Sequence, residues 1–321
     1  MRNEKISVII ITRELNSKIN ETLTSILNQN FEDYEIILVC HKNSLKMLPP
    51  SKVPIKVIEQ PNTSRGAARN LGILNSSGKV IAFIDDDCVV DEKWLQNGFK
   101  ALYEDYEIGV VGGTVKAHES LPNFSQVALN VISIPFINGW SVTFSSFSTK
   151  RKVSYVPTCN AFFKRKALEK VGGFKDTNYC EDVEICSRIR SLGYKIIYDP
   201  EVKVRHKWKI WNWNSLVRHF YNYGKGRGRA MIEYPHIGKV NFFPLIAFLS
   251  LLVFVPLIVI KPIVLLFITS ALLAFVLACS FYAYYKFKSV EYLPLTPLIM
   301  VSMYTSYTLG LYVGVIGWRK K

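Results

Sequence analysis

Three consecutive aspartates, Asp85, Asp86 and Asp87, are the residues whose types and spacing most directly suggest chemistry. They follow the apolar run 80–84, which predicts a buried strand. Residues i and i+2 of an extended chain point to the same side, so Asp85 and Asp87 are expected to face one pocket. Carboxylate oxygens in such a position suit Mg²⁺ or Mn²⁺ bound together with substrate phosphates. Taken alone, the run is also compatible with a solvated acidic turn.

The elements that must position these aspartates form an alternating pattern over the first two-thirds of the chain. Short apolar runs predict strands, and segments with helical spacing predict helices between them. The predicted strands are 6–11, 35–40, 55–58, 80–84, 155–163, 195–198 and 202–206, and the predicted helices are 17–28, 64–74 and 181–191. This order is typical of βα units around a mostly parallel sheet, whose ligands bind at the carboxyl ends of the strands.

Four segments carry a family resemblance. They are SVIIITRE (7–14), RGAARNLGILNSSGKVIAFIDDDCVVDEKWL (65–95), PTCNAFFKRKALEKVGGF (157–174) and YCEDVEICSRIRSLGYKIIYDPEVKVRH (179–206). In this order they resemble the family 2 glycosyltransferases, which have the α/β GT-A fold, and the resemblance covers roughly residues 5–210. A lone DxD motif is weak, whereas the whole series is specific. The later YGKGRGRA resembles a segment of succinoglycan-type, exopolysaccharide-building members.

The resemblance implies roles for the acidic residues. Asp85 and Asp87 correspond to the DxD acids, with Asp87 the direct ligand of a divalent metal and Asp85 nearer the nucleotide ribose. His206 is implied to complete the metal shell or to contact the diphosphate. Glu181 and Asp182 correspond to the family's catalytic acidic pair, with Asp182 as the general base that deprotonates the acceptor hydroxyl. Asp182 could instead serve only as a carboxylate that satisfies the free N–H groups of a helix N-terminus.

The resemblance also implies a nucleotide-sugar subsite. Thr12, Arg13 and Arg69 match positions that line it, and the less favoured alternative for Arg69 is a surface arginine on helix 64–74. The predicted subsite therefore consists of Thr12, Arg13, Arg69, Asp85 and Asp86. Relatives usually place an aspartate after the second strand, where this chain has Cys40 and His41. The contact with the nucleotide base is therefore missing or replaced, and the identity of the donor stays open.

Composition changes after residue 241. Three apolar runs, 242–260, 263–285 and 293–317, each approach the roughly 20 residues that span a bilayer. A formal net charge of +15, with basic residues crowded between 205 and 229, indicates an anionic partner. Next to apolar runs this favours lipid and phosphate over nucleic acid. We expect a GT-A domain over 1–210, a basic and aromatic interfacial segment over 211–240 and about three membrane segments over 241–321.

Cysteine usage and the N-terminus set further expectations. Six cysteines lie without a CxxC motif or any pairing, so the sequence predicts neither a zinc site nor a disulfide framework. The first apolar run is too short for the core of a signal peptide. The catalytic domain is therefore expected in the cytoplasm, fixed to the cell membrane by a multi-pass C-terminal region.

The function predicted from the sequence is that of an inverting, metal-dependent hexosyltransferase. It would move a sugar from a nucleotide-sugar to a membrane-held acceptor, either a lipid-linked saccharide or a polysaccharide. A polyprenyl- or dolichyl-phosphate sugar synthase ranks second, because Cys88-Val89 follows the DxD motif where those enzymes usually have Gln-His. A transporter or flippase subunit is the alternative of another class, but its apolar runs hold no acidic residue before Glu291.

Overall fold

The computed structural model describes residues 4–15, 19–42, 48–60, 64–139, 141–234 and 262–317. The chain divides into two compact units. The first comprises Met1–His118 and Ser141–Trp208, and the second comprises Glu119–Trp140 and Lys209–Lys321. The sequence-based boundary at 210 differs from this division chiefly because 119–140 belongs to the second unit. The three-domain division stays a prediction.

The first unit is an α/β structure built on a nine-stranded sheet. Its strands are β1 (Ile6–Glu14), β2 (Tyr34–Lys42), β3 (Ile55–Glu59), β4 (Val80–Asp85), β5 (Cys88–Val90), β6 (Ile108–Ala117), β7 (Arg151–Lys152), β8 (Asn160–Lys164) and β9 (Lys195–His206). Its helices are α1 (Asn20–Leu27), α2 (Arg65–Leu74), α3 (Trp94–Leu102), α6 (Arg165–Lys170) and α7 (Glu181–Ser191).

The sheet is mixed. Its strand order is β3-β2-β1-β4-β8-β6-β9-β5, and β7 pairs with β9. The part from β3 to β4 is parallel, as the βα pattern predicts. Beyond β4 the pairs of β8 with β4 and with β6 are antiparallel, and β6 returns to parallel pairing with β9. The expected α/β class is confirmed, and the antiparallel pairs are confined to the half that the sequence pattern describes least well.

The centre of the sheet explains why β4 carries the acidic turn. Five successive residues of β4, from Val80 to Ile84, are buried, which requires cover on both faces of the strand. Two sequence-based boundaries were wrong. The strand predicted over 155–163 begins only at Asn160, since Pro157 cannot donate to a central ladder. The strands 195–198 and 202–206 are one strand, β9, whose pairing with β6 shifts register between Gly113 and Thr114.

The second unit is helical. It contains α4 (Asn123–Ile132), α5 (Pro135–Asn138), α8 (Trp213–Glu233), α9 (Pro262–Phe287) and α10 (Tyr292–Ile316). Residues 119–140 are tied into it by polar contacts such as the bond from Asn130 Nδ2 to Tyr292 Oη, 2.8 Å. The interfacial segment predicted over 211–240 is largely the helix α8, which begins with a capping box between Asn212 and Ser215.

Glycines let α8 and α10 approach closely. A Cβ atom on Gly228 would lie 2.3 Å from the carbonyl oxygen of Leu311, and one on Gly310 would lie 2.0 Å from that of Tyr221. No side chain fits at these distances, so the backbones pack directly, as in helix pairs with small residues at regular spacing. The contact fixes α8 against α10.

Two helices of the second unit, α9 and α10, coincide with the predicted apolar runs 263–285 and 293–317. By length and composition, Ser270–Phe287 and Tyr292–Ile316 can each cross a membrane. Only 17% of the first of these segments is buried within the protein. The predicted run 242–260 lies outside the described residues.

Candidate active site

The acidic turn is brought to His206 by strand pairing. Asp85 ends β4, and the chain turns through Asp86 and Asp87 into β5. Strand β5 pairs antiparallel with the end of β9, so that Cys88 lies opposite His206. Asp87 Oδ1 and His206 Nε2 are hydrogen-bonded at 2.9 Å. The Lys207 N–H donates to the Asp87 carbonyl oxygen at 2.9 Å. The turn is therefore held at both side chain and backbone.

The side chains of Asp85, Asp87 and His206 fit a divalent cation. Their ligand atoms all lie within 4.8 Å of one another. Two carboxylates and an imidazole are donors that Mn²⁺ accepts readily, and Mg²⁺ accepts the carboxylates. Burial opposes the protonated imidazole, but the hydrogen bond with Asp87 and the charges of Asp87 and Cys159 outweigh it and raise the pKa of His206 well above its usual value. A divalent cation bound between these groups would supply the positive charge that the proton on His206 otherwise supplies.

Asp86 has a different environment from its two neighbours. Thr12 Oγ1, at the carboxyl end of β1, donates to Asp86 Oδ2 at 2.5 Å. Thr22 Oγ1 of α1 donates to the Asp86 carbonyl oxygen at 3.0 Å. The structure thus brings Thr12 and Asp86 of the predicted nucleotide-sugar subsite together. Arg13 is exposed, and within the described ranges no hydrogen bond or ion pair joins it to these acids.

Arg69 joins the two acidic segments. Its Nη1 donates to Glu181 Oε1 at 2.9 Å, and its Nη2 lies 3.7 Å from Asp85 Oδ1. The guanidinium also lies over the rings of Phe83 and Phe174, 6.0 and 5.7 Å from their centroids. Arg69 is 3% exposed, so the alternative of a surface arginine on α2 was wrong.

Glu181 is buried, and its contacts are to arginines. Besides Arg69, the guanidinium of Arg65 lies 3.9 Å from its carboxylate. Burial alone would raise the pKa of Glu181, but the charges of Arg69 and Arg65 lower it below its usual value. A buried, ionised and paired carboxylate is suited to positioning its neighbours. The catalytic role of Glu181 stays a prediction. Its contacts with two arginines favour a role in positioning neighbouring side chains.

Asp182 is more exposed than Glu181 and lies in the first turn of α7. Its Oδ1 accepts the Val183 N–H at 2.8 Å. Cys180, immediately before the pair, has φ 53°, a left-handed conformation that non-glycine residues adopt only when the surrounding structure imposes it. The chain thus enters α7 in a bend that leaves one carboxylate inside and one accessible. A held, accessible carboxylate can accept a proton from a substrate hydroxyl.

His41, which stands near the position where relatives usually have an aspartate, lies at the end of β2. Its Nδ1 is 3.1 Å from the carbonyl oxygen of Gln60, while Cys40 is fully buried. One ring nitrogen of His41 is therefore hydrogen-bonded to the backbone.

Sequence reasoning missed two cysteines beside the candidate metal ligands. The ligand atoms of Cys88, Cys159 and His206 lie within 4.8 Å of one another, and all three residues are buried. Cys88 and Cys159 are far apart in sequence, so no spacing motif announces them. Only their positions in the sequence could have indicated them. Cys88 directly follows the acidic run, and Cys159 lies two residues after Pro157 of the predicted strand 155–163.

Comparison with known proteins gives three relevant similarities. The family model described as glycosyl transferase family 2 matches residues 7–172. The probable glycosyltransferase YdaM of Bacillus subtilis is 25% identical over 230 residues, which is 67% of this chain and 54% of YdaM. The glucosyl-dolichyl phosphate glucuronosyltransferase of Haloferax volcanii is 25% identical over 224 residues, 63% of this chain and 69% of that protein. This chain thus spans about half the length of YdaM.

A solved structure is similar in fold. It is the mannosyltransferase PcManGT from Pyrobaculum calidifontis in complex with GDP-Man and Mn²⁺, with a TM-score of 0.61 and 18% sequence identity. The likeness covers 97% of this chain and 86% of that one. It confirms the GT-A fold predicted from the sequence.

Proposed function

Because this chain belongs to glycosyl transferase family 2, we propose that it transfers a sugar from a nucleotide-sugar to a membrane-held acceptor, with inversion at the anomeric carbon and with a divalent cation. The observation that carries the proposal is the position of Arg69. Its guanidinium bonds Glu181 and lies 3.7 Å from Asp85. One buried side chain therefore links the candidate cation ligands to the segment that holds the candidate base.

The donor side of the reaction belongs to the acidic turn. Asp85, Asp87 and His206 would hold Mg²⁺ or Mn²⁺, which when bound neutralises charge on the departing nucleoside diphosphate. Thr12 and Asp86, joined at 2.5 Å, and the exposed Arg13 are the proposed contacts of the nucleotide. The complex of PcManGT with GDP-Man and Mn²⁺ supports a nucleotide-sugar and a cation as a pair.

The acceptor side belongs to α7. Asp182 takes the proton of the acceptor hydroxyl on a carboxylate oxygen, while the hydroxyl oxygen bonds to the anomeric carbon and the bond from that carbon to the diphosphate breaks. Attack from the face opposite the leaving group inverts the configuration. A positioned base of this kind contributes about 10²–10⁴-fold to the rate. Arg69 and Glu181 act by holding the base and the acidic turn at a fixed separation.

We propose a membrane-held acceptor because the second unit exposes an apolar helix. The apolar residues of α9 are widely exposed, among them Phe267 and Leu266. A lipid-linked or polysaccharide acceptor in the plane of the membrane would meet an anchored enzyme at a raised effective concentration. The name of the Haloferax volcanii relative, which includes a glucosyl-dolichyl phosphate, supports a lipid-linked saccharide. Because that name includes a dolichyl phosphate, a polyprenyl- or dolichyl-phosphate is the second candidate acceptor. We place the first unit on the cytoplasmic side of a multi-pass chain.

The test is nucleoside diphosphate release by the full chain in detergent, with Mn²⁺ or Mg²⁺ and a panel of nucleotide-sugars. Release should require the cation and rise when a lipid extract is added. Asp87→Ala and Asp182→Asn should each lower it by at least about 100-fold, since each removes a group that acts in the reaction. Asp33→Asn is the matched control, because Asp33 is exposed and precedes β2, at the amino end of the parallel strands, whereas Asp85 lies at their carboxyl end.

Two results would contradict the proposal. Turnover that is unchanged in Asp182→Asn would remove the base. Turnover that persists without any divalent cation would remove the role assigned to Asp85, Asp87 and His206. Addition of purified polyprenyl phosphate, compared with lipid-linked saccharide, separates the two candidate acceptors.

A further inference from the structure

Two thiols lie behind the histidine of the candidate cation site. Cys88 is fully buried, and Cys159 is 6% exposed. Together with His206 they bring three potential ligand atoms within 4.8 Å of one another. Strand pairing holds the group in place, since Cys88 is opposite His206 in the β5–β9 pair and Cys159 immediately precedes β8. The cluster thus rests on the framework of the sheet.

The imidazole of His206 has two different sides. Its Nε2 is engaged by Asp87 Oδ1 at 2.9 Å. Its Nδ1 is buried and has no hydrogen-bond partner among the residues that the structure describes. A buried polar nitrogen without a partner is costly and therefore calls for a ligand or an ion. The side of the ring that Asp87 does not use is the side available to the thiols.

We propose that Cys88, Cys159 and His206 Nδ1 form a binding site for a thiophilic cation such as Zn²⁺. Two sulfurs and an imidazole nitrogen are the donors that Zn²⁺ and Cd²⁺ prefer, in contrast to the oxygen donors of the acidic turn. Three protein ligands leave a fourth position for water. Each thiol that binds the cation releases its proton to solvent, so uptake is accompanied by proton release.

The two cation sites would share one histidine. A neutral imidazole has a single free lone pair, and its other nitrogen carries the proton. A cation on Nδ1 therefore leaves the proton on Nε2, where it faces Asp87, and Nε2 can no longer bind the cation of the acidic turn. Occupation of the thiol site should then weaken Mn²⁺ binding and inhibit transfer. This consequence rests on the proposed function, whereas cation binding by the thiols does not.

Cadmium titration of the full chain tests the binding step, because cadmium–thiolate bonds absorb in the ultraviolet. The protein is kept in detergent with a phosphine reductant, so that its thiols stay reduced. We expect one cadmium per chain with a thiolate charge-transfer band. Cys159→Ser should weaken binding by at least about 10–100-fold, the range typical even for partners outside the ligand shell. Cys186→Ala is the matched control, since Cys186 is buried in the same unit but outside the cluster.

The outcomes are separable. Absence of the band in the wild-type protein, or an undiminished band in both Cys159→Ser and the double variant Cys88→Ser with Cys159→Ser, would overturn the site. The single variant serves if the double variant does not fold. Inhibition by Cd²⁺ that is relieved by raised Mn²⁺ and lost in Cys159→Ser would support the shared histidine, and equal inhibition in the variant would contradict it. The band needs no turnover, so it can be present even if the proposed transfer reaction fails.

Discussion

The two units of the chain depart from the usual distribution of side chains in opposite ways. In the first unit, charged side chains are buried: Arg69, Glu181 and Glu184 are each at most 5% exposed. In the second unit, large apolar side chains are exposed, with Phe267 of α9 at 77%. Buried charges persist only when they are paired, and the first two form a pair at 2.9 Å. Exposed apolar helices of this length persist when the surrounding solvent is itself apolar.

The difference indicates what each unit is built to do. The first unit holds ionised groups in fixed geometry, as a site for a charged substrate and its cation requires. The second presents apolar side chains of α9 outward and packs α8 against α10 through glycines. The function proposed above needs both properties in one chain.

The largest effect is expected from breaking the buried pair. Arg69→Met should lower the free energy of unfolding by about 3–5 kcal/mol, because it leaves the buried Glu181 with only the more distant guanidinium of Arg65, at 3.9 Å. Thermal unfolding in detergent measures this. Lys203→Met, which removes one partner of an exposed pair with Glu201, is the matched control and should cost less than about 1 kcal/mol. Equal effects for the two variants would show that burial of charge does not distinguish the first unit.

A smaller effect is expected on the apolar surface of α9. Leu273→Lys together with Leu277→Lys should weaken membrane association, since a lysine near the centre of a spanning helix costs about 2.5–3.5 kcal/mol. Resistance of the chain to alkaline extraction from membranes is the measurement. The matched control is Leu74→Lys with Leu192→Lys, which changes two exposed leucines of the first unit. Loss of association with the control pair, or its retention with the α9 pair, would break the comparison.

The smallest effect concerns Glu35 at the start of β2. Burial alone would raise the pKa of this carboxyl, but the Ser77 N–H and the hydroxyls of Ser7 and Ser77 lower it from 4.5 to about 2. Since the folded pKa is depressed, Glu35 stabilises the fold above pH 4.5, and the contribution is lost as the pH falls toward 2. Glu35→Gln should reduce stability by about 1 kcal/mol at neutral pH. Unfolding curves of variant and wild type should converge in acid, and a constant difference would contradict this assignment.

Much of the parallel part of the first unit could be predicted from the sequence. The run 80–84 is continuously apolar, and the helix 181–191 was found with its exact bounds. Strand β6, which is antiparallel to β8 and parallel to β9, has no distinct local signal, because its glycines and valines do not alternate in polarity.

The candidate site could be predicted only in part. The order of the family motifs identified Asp85, Asp87, Asp182 and His206 as candidates. The burial of Arg69 could not be predicted, since helical spacing alone does not show that α2 presents this residue to Glu181. The thiol cluster depends on pairing between β5 and β9, which is a long-range contact that local sequence does not encode.

The most direct test of the central claim separates cation-dependent donor binding from chemistry in two variants. Calorimetric titration of the nucleotide-sugar that the panel identifies should show binding to the wild type only when Mn²⁺ is present. Asp182→Asn should bind this donor as the wild type does while failing to turn it over, because its carboxylate acts on the acceptor. Asp87→Ala should lose cation-dependent binding altogether. Donor binding by Asp87→Ala that equals the wild type with Mn²⁺, or loss of binding in Asp182→Asn with a folded protein, would contradict the roles assigned to the two acidic segments.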